Sequence, residues 1–265
     1  TARLGGLRDA EVILKNAKRI LISACGTAAF AARIGEYMLE EYARVPVKAD
    51  IASEFRYRSP VFQEGDIFLA ISQSGETADT LGAQRVAKKA GLPTLGIINV
   101  VGSTIARETD AGVYQHVGPE IGVASTKAFT SQVVILTLFT LFLGRARGMS
   151  EEIGKEIARE MARVPEYMRR VLSKNDEIKK LAEKYQYAEN FFFLGRKYSL
   201  PVACEGALKL KEVSYVHAEG YGAGEMKHGP IAMIHEKFPS ICIVPKDSVY
   251  EKTLSNIQEL KARRG

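Results

Sequence analysis

The chain has 265 residues, enough for one large domain or two medium domains with sizeable cores. Hydrophobic residues make up 46% of it and charged residues 26%, which is typical of a globular protein. The net charge of +6 is dispersed among acidic residues, so no nucleic-acid partner is expected, because such proteins concentrate their basic residues in one patch.

The first half alternates short β-rich apolar runs with longer runs of helical period. Strands are predicted at 19–24, 67–71, 94–99 and 111–117. Helices are predicted at 28–42, 77–90 and 127–144. Alternation of this kind predicts a parallel sheet with helices on both faces.

The last of these helices contains the most apolar stretch of the chain, residues 133–143. A segment of about 11 residues is shorter than the roughly 20 that span a bilayer, so we predict a buried helix and no membrane partner. No basic-then-apolar leader follows Thr1, and a signal peptide is therefore not expected.

The second half begins with a charged stretch, 150–187, which we interpret as two connecting helices broken at Pro165. Strands at 190–194 and 240–244 and helices at 201–217 and 250–264 follow. Their order repeats that of the first half and stops where further strands would begin. We expect a first domain at 1–154 with an N-terminal helix, a helical linker at 155–183, and a second domain at 184–265, incomplete at its C-terminal end.

The three cysteines, Cys25, Cys204 and Cys242, lie far apart and form no CxxC pair or Cys/His cluster. Neither a disulfide framework nor a zinc site is therefore expected. A reducing cytoplasm is the simplest setting.

The sharpest local motif is Ser72-Gln73-Ser74-Gly75-Glu76-Thr77, which follows a predicted strand and opens a helix. Its hydroxyls and the helix N-terminus suit a small phosphate ester, whereas GxxxxGK[ST] and GxGxxG are absent. Glu76 would repel a phosphate, so it must point outward or act on something else. The same residues are also typical of an ordinary helix N-cap.

Two further polar loops follow predicted strands, Cys25-Gly26-Thr27 and the segment from Glu120 to Lys127, which contains Val123 and Ser125. Loops at neighbouring strand ends can converge on one ligand. Their joint occurrence favours a binding site over a helix cap.

Acid–base candidates lie in the second half. Glu205, Lys209 and Glu212 share one face of the predicted helix 201–217, either as a surface ion-pair ladder or as the lining of a crevice. His228, in a Lys-His-Gly-Pro turn, is a candidate proton carrier. Structural roles are expected for the other histidines, His116, His217 and His235.

Six segments resemble the isomerase (synthase) part of the glutamine–fructose-6-phosphate aminotransferase family, also called glucosamine-6-phosphate synthase. They are CGT at 25–27, IASEFRYR at 51–58, ISQSGETADTL at 71–81, EIGVASTKAFT at 120–130, EGALKLKE at 205–212 and HAEGYGAGEMKHGP at 217–230. The resemblance implies two flavodoxin-like SIS domains of α/β class, each with a parallel sheet covered on both faces.

The resemblance also implies roles for individual residues. The three loops would form the sugar-phosphate site, with the phosphate held by Ser72, Gln73, Ser74 and Thr77. Glu212 would move a proton between C1 and C2 of the sugar, and Lys209 would stabilise the enolamine. His228, supplied by a neighbouring subunit, would assist ring opening, which implies a homodimer. Neither a metal nor a redox cofactor is needed.

Three departures from the family pattern bear on activity. No glutaminase domain precedes the segment, the family's C-terminal tail with its lysine does not follow it, and Ala28-Ala29 stands where the family often has Ser-Tyr. The chain alone would then bind ligand yet catalyse poorly. Alternatives are a fructosamine-6-phosphate deglycase, an aminosugar-phosphate deaminase and a non-catalytic SIS sensor of sugar phosphates.

Overall fold

The computed structural model describes residues 2–265 and divides into two compact units, one ending at Arg159 and the other covering Glu160–Gly265. Each unit contains its own parallel sheet. The cysteines, all within the described residues, form no disulfide.

The sheet of the first unit has five parallel strands in the order β2-β1-β3-β4-β5. The strands are β1 Arg19–Ala24, β2 Val47–Ile51, β3 Asp66–Ser72, β4 Thr94–Ile98 and β5 Ala111–Tyr114. Every residue of the central strand β3 is buried. This order is the flavodoxin-like one, in which the chain winds to one side of β1 and then to the other.

The helices of this unit connect the strands. They are α1 Glu11–Lys15, α2 Thr27–Met38, α3 Ala52–Tyr57, α4 Ala78–Lys89, α5 Thr104–Glu108 and α6 Lys127–Ala146. A 3₁₀ turn at Gly5–Ala10 precedes α1, and a π-helical turn at Leu39–Ala43 extends α2. The apolar core between α3, α4 and the sheet contains Phe55, Phe68, Ala83, Ala87 and Ile105.

Helix α6 is longer than the apolar stretch that predicted it. By length and composition alone it could cross a membrane, with a mean hydropathy of 1.5 over its most apolar window. Half of that window is buried inside the protein, as in the core helix of a globular domain. This burial agrees with the predicted buried helix.

Two helices link the sheets, α7 Glu151–Leu172 and α8 Asn175–Tyr185. The prediction of two helices is confirmed, but the break at Pro165 is wrong, because α7 continues through this proline. Proline removes one backbone N–H and its ring crowds the carbonyl four residues earlier, which often kinks a helix but here does not end it. The chain leaves the helix instead at Ser173 and Lys174, where the Lys174 amide donates to the Val171 carbonyl at 3.0 Å.

The second unit has a three-stranded parallel sheet in the order β7-β6-β8. Its strands are β6 Asn190–Gly195, β7 His217–Gly222 and β8 Ser240–Cys242, and its other helices are α9 Ser199–Ser214 and α10 Tyr250–Ala262. Two 3₁₀ turns, Ala223–His228 and Pro230–Met233, follow β7. Since β6, β7 and β8 occupy the positions of β1, β2 and β3, the predicted repeat of parts is found in the sheet order.

The predicted helix 201–217 ends too late. Tyr215 adopts a left-handed backbone conformation with φ of 60°, which ends α9 at Ser214. His217, expected at the end of the helix, is instead the first residue of β7.

Helix α9 packs directly on its sheet through two glycines. A Cβ on Gly220 of β7 would lie 2.5 Å from the Cα of Cys204, and a Cβ on Gly195 would lie 2.2 Å from the Ser199 carbonyl oxygen. Glycine is therefore required at both positions. The helix backbone and the sheet backbone are in contact with no side chain between them.

Candidate functional site

The predicted loops lie at the topological switch point of the first sheet. Strands β1 and β3 are neighbours, with Ser23 opposite Ala70, and the chain leaves them on opposite sides. In open α/β sheets of this order, ligands bind beyond the carboxyl ends of these two strands. The loops that begin at Cys25 and Ser72 start at those ends.

A cavity of about 170 Å³ opens between these loops. Its lining residues are Cys25, Thr27, Ala28, Ile71, Ser72, Gln73, Ser74, Thr77, Ser125 and Gln132. Most of the binding residues expected from the sequence, drawn from all three loops, are thus brought together. Gly26 and Val123 are the exceptions, since both are exposed and neither lines the cavity.

The loop after β3 is held in shape by its own serines. Ser72 Oγ accepts a hydrogen bond from the Gly75 amide at 3.0 Å and lies 3.1 Å from Thr77 Oγ1. Ser74 Oγ accepts from the Glu76 amide at 3.2 Å. These bonds fix the turn so that the hydroxyls stay beside the cavity.

Gly75 is required by this turn. Its φ is +66°, and a Cβ there would lie 1.9 Å from Ser103 Oγ. Any side chain would meet both the strain of a left-handed backbone and a direct collision. The loop therefore depends on a glycine at this position.

Glu76 points away from the cavity, as predicted. Its Oε1 accepts a hydrogen bond at 2.7 Å from the Thr104 amide at the start of α5. This bond lowers the pKa of Glu76 below its ordinary value. The Glu76 carboxylate thus links the loop after β3 to the start of α5 and does not line the cavity.

The N-termini of α4 and α6 differ in how they are capped. At α6, Glu120 Oε1 accepts hydrogen bonds from the Ala128 amide at 2.9 Å, the Thr126 amide at 3.2 Å and Ser125 Oγ at 3.3 Å. At α4, the N-cap residue Thr77 makes no side-chain capping bond. The positive end of α4 is therefore open to an anion, whereas that of α6 already has one.

Burial raises the pKa of Glu120. Hydrogen bonds from the Ala128 and Thr126 amides lower the pKa by more than burial raises it, so the net shift is downward. The carboxylate is therefore charged at neutral pH. It closes the loop that brings Ser125 to the cavity.

The second unit contains the predicted acid–base row on α9. Lys209 Nζ lies 2.5 Å from Glu212 Oε2 and 3.5 Å from Glu205 Oε1. The side chain of Glu205 is only 7% exposed, and those of Lys209 and Glu212 are 21% and 32% exposed. A ladder on an open surface would be more exposed, so this row is built into the unit.

His228 lies elsewhere in the second unit. It ends the 3₁₀ turn Ala223–His228 and is exposed, immediately before Gly229 with its φ of 146°. Among residues 2–265, no group of three or more His, Cys, Asp or Glu side chains is placed to hold a metal ion.

Both units of the chain match one known protein family. The family described as SIS domain matches residues 13–142 and 184–265. The chain belongs to the SIS-domain family. The predicted class, two α/β SIS units with parallel sheets, is confirmed, and the second sheet is the smaller one.

Relatives of this SIS protein agree with the resemblance found in the sequence. A glutamine–fructose-6-phosphate aminotransferase [isomerizing] from Chlorobaculum tepidum is 56% identical over 262 residues, which are 99% of this chain and 43% of the relative. This chain thus spans less than half the length of that relative.

Solved structures are similar as well. The C-terminal domain of glucosamine-fructose-6-phosphate aminotransferase from Francisella tularensis superposes with a TM-score of 0.95 at 43% identity, over 97% of this chain and 73% of that one. Glucosamine-6-phosphate deaminase from Thermotoga maritima superposes with a TM-score of 0.77 at 25% identity, over 97% of this chain and 77% of that one.

The motif analysis missed one part of the SIS cavity. Gln132 lines it from α6 and is only 1% exposed; the only signal was a glutamine beside the apolar stretch 133–143. Ala28, singled out in the sequence as a departure from the family pattern, also lines the cavity. It places a methyl group and no hydroxyl in the wall.

Proposed function

We propose that this SIS protein is the isomerase part of a glutamine–fructose-6-phosphate aminotransferase and makes glucosamine 6-phosphate from fructose 6-phosphate and ammonia. The observation that carries the proposal is the hydroxyl-lined cavity at the β1/β3 switch point, next to the open N-terminus of α4. The relative from Chlorobaculum tepidum, with the name of this enzyme, supports it.

The phosphate of the substrate binds at the loop after β3. The hydroxyls of Ser74 and Thr77, the side chain of Gln73 and the first amides of α4 donate hydrogen bonds to its oxygens. Asp79 in the first turn of α4 lies 3.4 Å from Arg56, so its charge is offset by that guanidinium. Cys25, Thr27, Ser125 and the exposed Gly26 and Val123 surround the rest of the sugar.

The reaction requires proton transfers and one condensation. Ammonia condenses with the C2 ketone of the open-chain sugar, and water leaves as the imine forms. The Glu212 carboxylate takes a proton from C1 and returns it to C2, while the C1 hydroxyl loses a proton and the imine nitrogen gains one, which leaves an aldehyde at C1 and an amine at C2. The Lys209 ammonium, already beside Glu212, stabilises the charge of the enolamine intermediate.

Other parts of the proposal extend beyond this chain. His228 of a second copy assists ring opening, so the active form is a homodimer. A glutaminase part of the full-length protein supplies the ammonia, and the product enters amino-sugar biosynthesis towards UDP-N-acetylglucosamine in the cytoplasm. Residues 1–154 and 184–265 are its SIS domains, and 155–183 is the linker.

A second candidate is an aminosugar-phosphate deaminase, because the Thermotoga maritima enzyme of that name has the same fold at 25% identity. It would use the same cavity and base and release ammonia. Incubation with glucosamine 6-phosphate alone distinguishes them, because a deaminase releases ammonia at once.

Calorimetry and turnover test the proposal. We expect this chain to bind fructose 6-phosphate, and the full-length protein that contains it to make glucosamine 6-phosphate from glutamine. Glu212→Gln should abolish turnover and retain binding, whereas the control Glu251→Gln, an exposed glutamate on α10, should change neither. Absence of binding would overturn the function, and turnover by Glu212→Gln would remove the base assignment.

A further inference from the structure

Gln132 is a buried amide on the wall of the SIS cavity. It lies in the second turn of α6 and is 1% exposed. Its Oε1 has no hydrogen-bond partner among the residues that the structure describes. Burying an amide oxygen without a hydrogen-bond donor costs folding free energy. This arrangement therefore favours a ligand that donates a hydrogen bond to Gln132 Oε1.

Several hydroxyls on the same cavity already contact other groups. Ser125 Oγ donates to Glu120 Oε1 at 3.3 Å, Ser72 Oγ and Thr77 Oγ1 share a hydrogen bond, and Ser74 Oγ accepts from the Glu76 amide. No hydroxyl of the described residues donates to Gln132 Oε1. A bound ligand can therefore supply that donor.

The chemistry of the ligand follows from the acceptor. The phosphate group of a phosphate ester, in its dianionic form, has only acceptor oxygens and suits the serine hydroxyls and helix amides of the loop after β3. It cannot donate to an amide oxygen, whereas a sugar hydroxyl can. The wall at Gln132 therefore fits the polyol part of a phosphate ester and not its phosphate.

We propose that Gln132 is a specificity-determining residue that accepts a hydrogen bond from a hydroxyl of the bound sugar phosphate. It thereby selects hydroxylated phosphate esters over inorganic phosphate. This inference rests on the proposed function, because it requires that the cavity binds a sugar phosphate.

Gln84 provides a matched control. It is also fully buried with an unpartnered Oε1, but its Nε2 donates to the Ile105 carbonyl at 3.4 Å and it does not line the cavity. Replacing either glutamine with methionine keeps the side-chain length and removes the amide. Only the change at Gln132 should alter ligand selection.

The test is calorimetric titration of wild type, Gln132→Met and Gln84→Met with fructose 6-phosphate and with inorganic phosphate. We expect Gln132→Met to bind fructose 6-phosphate about tenfold more weakly than wild type, because one buried hydrogen bond to the ligand is lost. Its affinity for inorganic phosphate should equal that of wild type. Gln84→Met should match wild type with both ligands. Should Gln132→Met not fold, Gln132→Asn, which keeps an amide on a shorter side chain, should show the same selective loss.

Three other outcomes would overturn this inference. Equal affinity of wild type and Gln132→Met for fructose 6-phosphate overturns the inference and leaves the proposed function intact. An equal loss for both ligands also overturns it, because it indicates a structural role. Failure of wild type to bind fructose 6-phosphate overturns the proposed function and this inference with it.

Discussion

The turns after β3 and after β8 occupy equivalent positions in the two SIS sheets but differ in where their carboxylates lie. In the first unit the turn has serine hydroxyls, and the N-cap Thr77 leaves the start of α4 without a side-chain cap. In the second unit Asp247 Oδ1 accepts a hydrogen bond at 2.9 Å from the amide of Val249, the N-cap of α10. The carboxylate of the second turn contacts the start of its own helix, whereas Glu76 of the first turn is bonded to the start of α5 instead.

The sheet order places both turns at the same edge position. Under the proposed function, the residues at the helix N-terminus, and not the fold alone, decide whether phosphate binds. The following predictions test that division, from the largest expected effect to the smallest.

Replacing Gly75 with alanine should destroy the first turn. An alanine in this left-handed backbone conformation is strained by about 1–2 kcal/mol, and its Cβ also collides with Ser103. We expect the free energy of unfolding of the first unit to fall by more than that strain alone and sugar-phosphate binding to be lost. Urea unfolding and calorimetry measure both.

Gly102→Ala is the control for this change. Gly102 has a φ of +73°, and a Cβ there meets nothing within 4 Å. Gly102→Ala should therefore lose only the stability that corresponds to the backbone strain, and it should still bind the sugar phosphate. Equal effects of the two substitutions would contradict the importance of the Ser103 contact.

Thr77→Asp should place a carboxylate at the start of α4, where the first turn now has none bonded to the helix. A carboxylate at the N-cap satisfies the open amides of α4, so the ligand-free protein should gain about 0.5–1 kcal/mol of stability. The same charge repels phosphate, and fructose 6-phosphate binding should fall below detection. Thermal unfolding and calorimetry measure the two effects.

Asp247→Asn is the companion change in the second unit. It removes the charge at α10 but leaves the cavity of the first unit untouched, so fructose 6-phosphate affinity should not change. If Thr77→Asp still binds the sugar phosphate with wild-type affinity, the phosphate does not lie at α4.

The smallest effect concerns pH and Glu120. Because its folded-state pKa is lowered, its contribution to stability is fully present above the ordinary glutamate pKa of about 4.3 and is lost as the pH falls through the folded-state value. Wild type should therefore be more stable than Glu120→Gln at pH 6, and the difference should shrink as the pH is lowered below about 4. Unfolding in urea across this range measures it, and a constant difference would contradict the capping role.

Much of the architecture could be predicted from the sequence. The buried strands β1, β3 and β4 are continuous apolar runs, and their boundaries were placed to within a residue or so. The edge strand β2 was missed, because only Val47 of its five residues is buried and its pattern is weak. Strand β7 was missed because its backbone lies against α9 through glycine, which has no strand signature.

For the site, motifs predicted which loops converge but not how each is held. The hydroxyl-rich turns are local features of the sequence, and so they could be found. Gln132 could not, since its position on the cavity depends on how α6 packs against two loops that are distant in sequence. Cap bonds such as those of Glu120 likewise depend on the folded loop.

The contact of α9 with Gly220 limits how the second unit can move. With no side chain between helix and strand, the helix can neither slide along the strand nor tilt without a collision between the two backbones. The carboxylates and the ammonium of α9 must therefore travel together with the sheet in any domain motion. The position of this helix is therefore fixed by the strand beneath it.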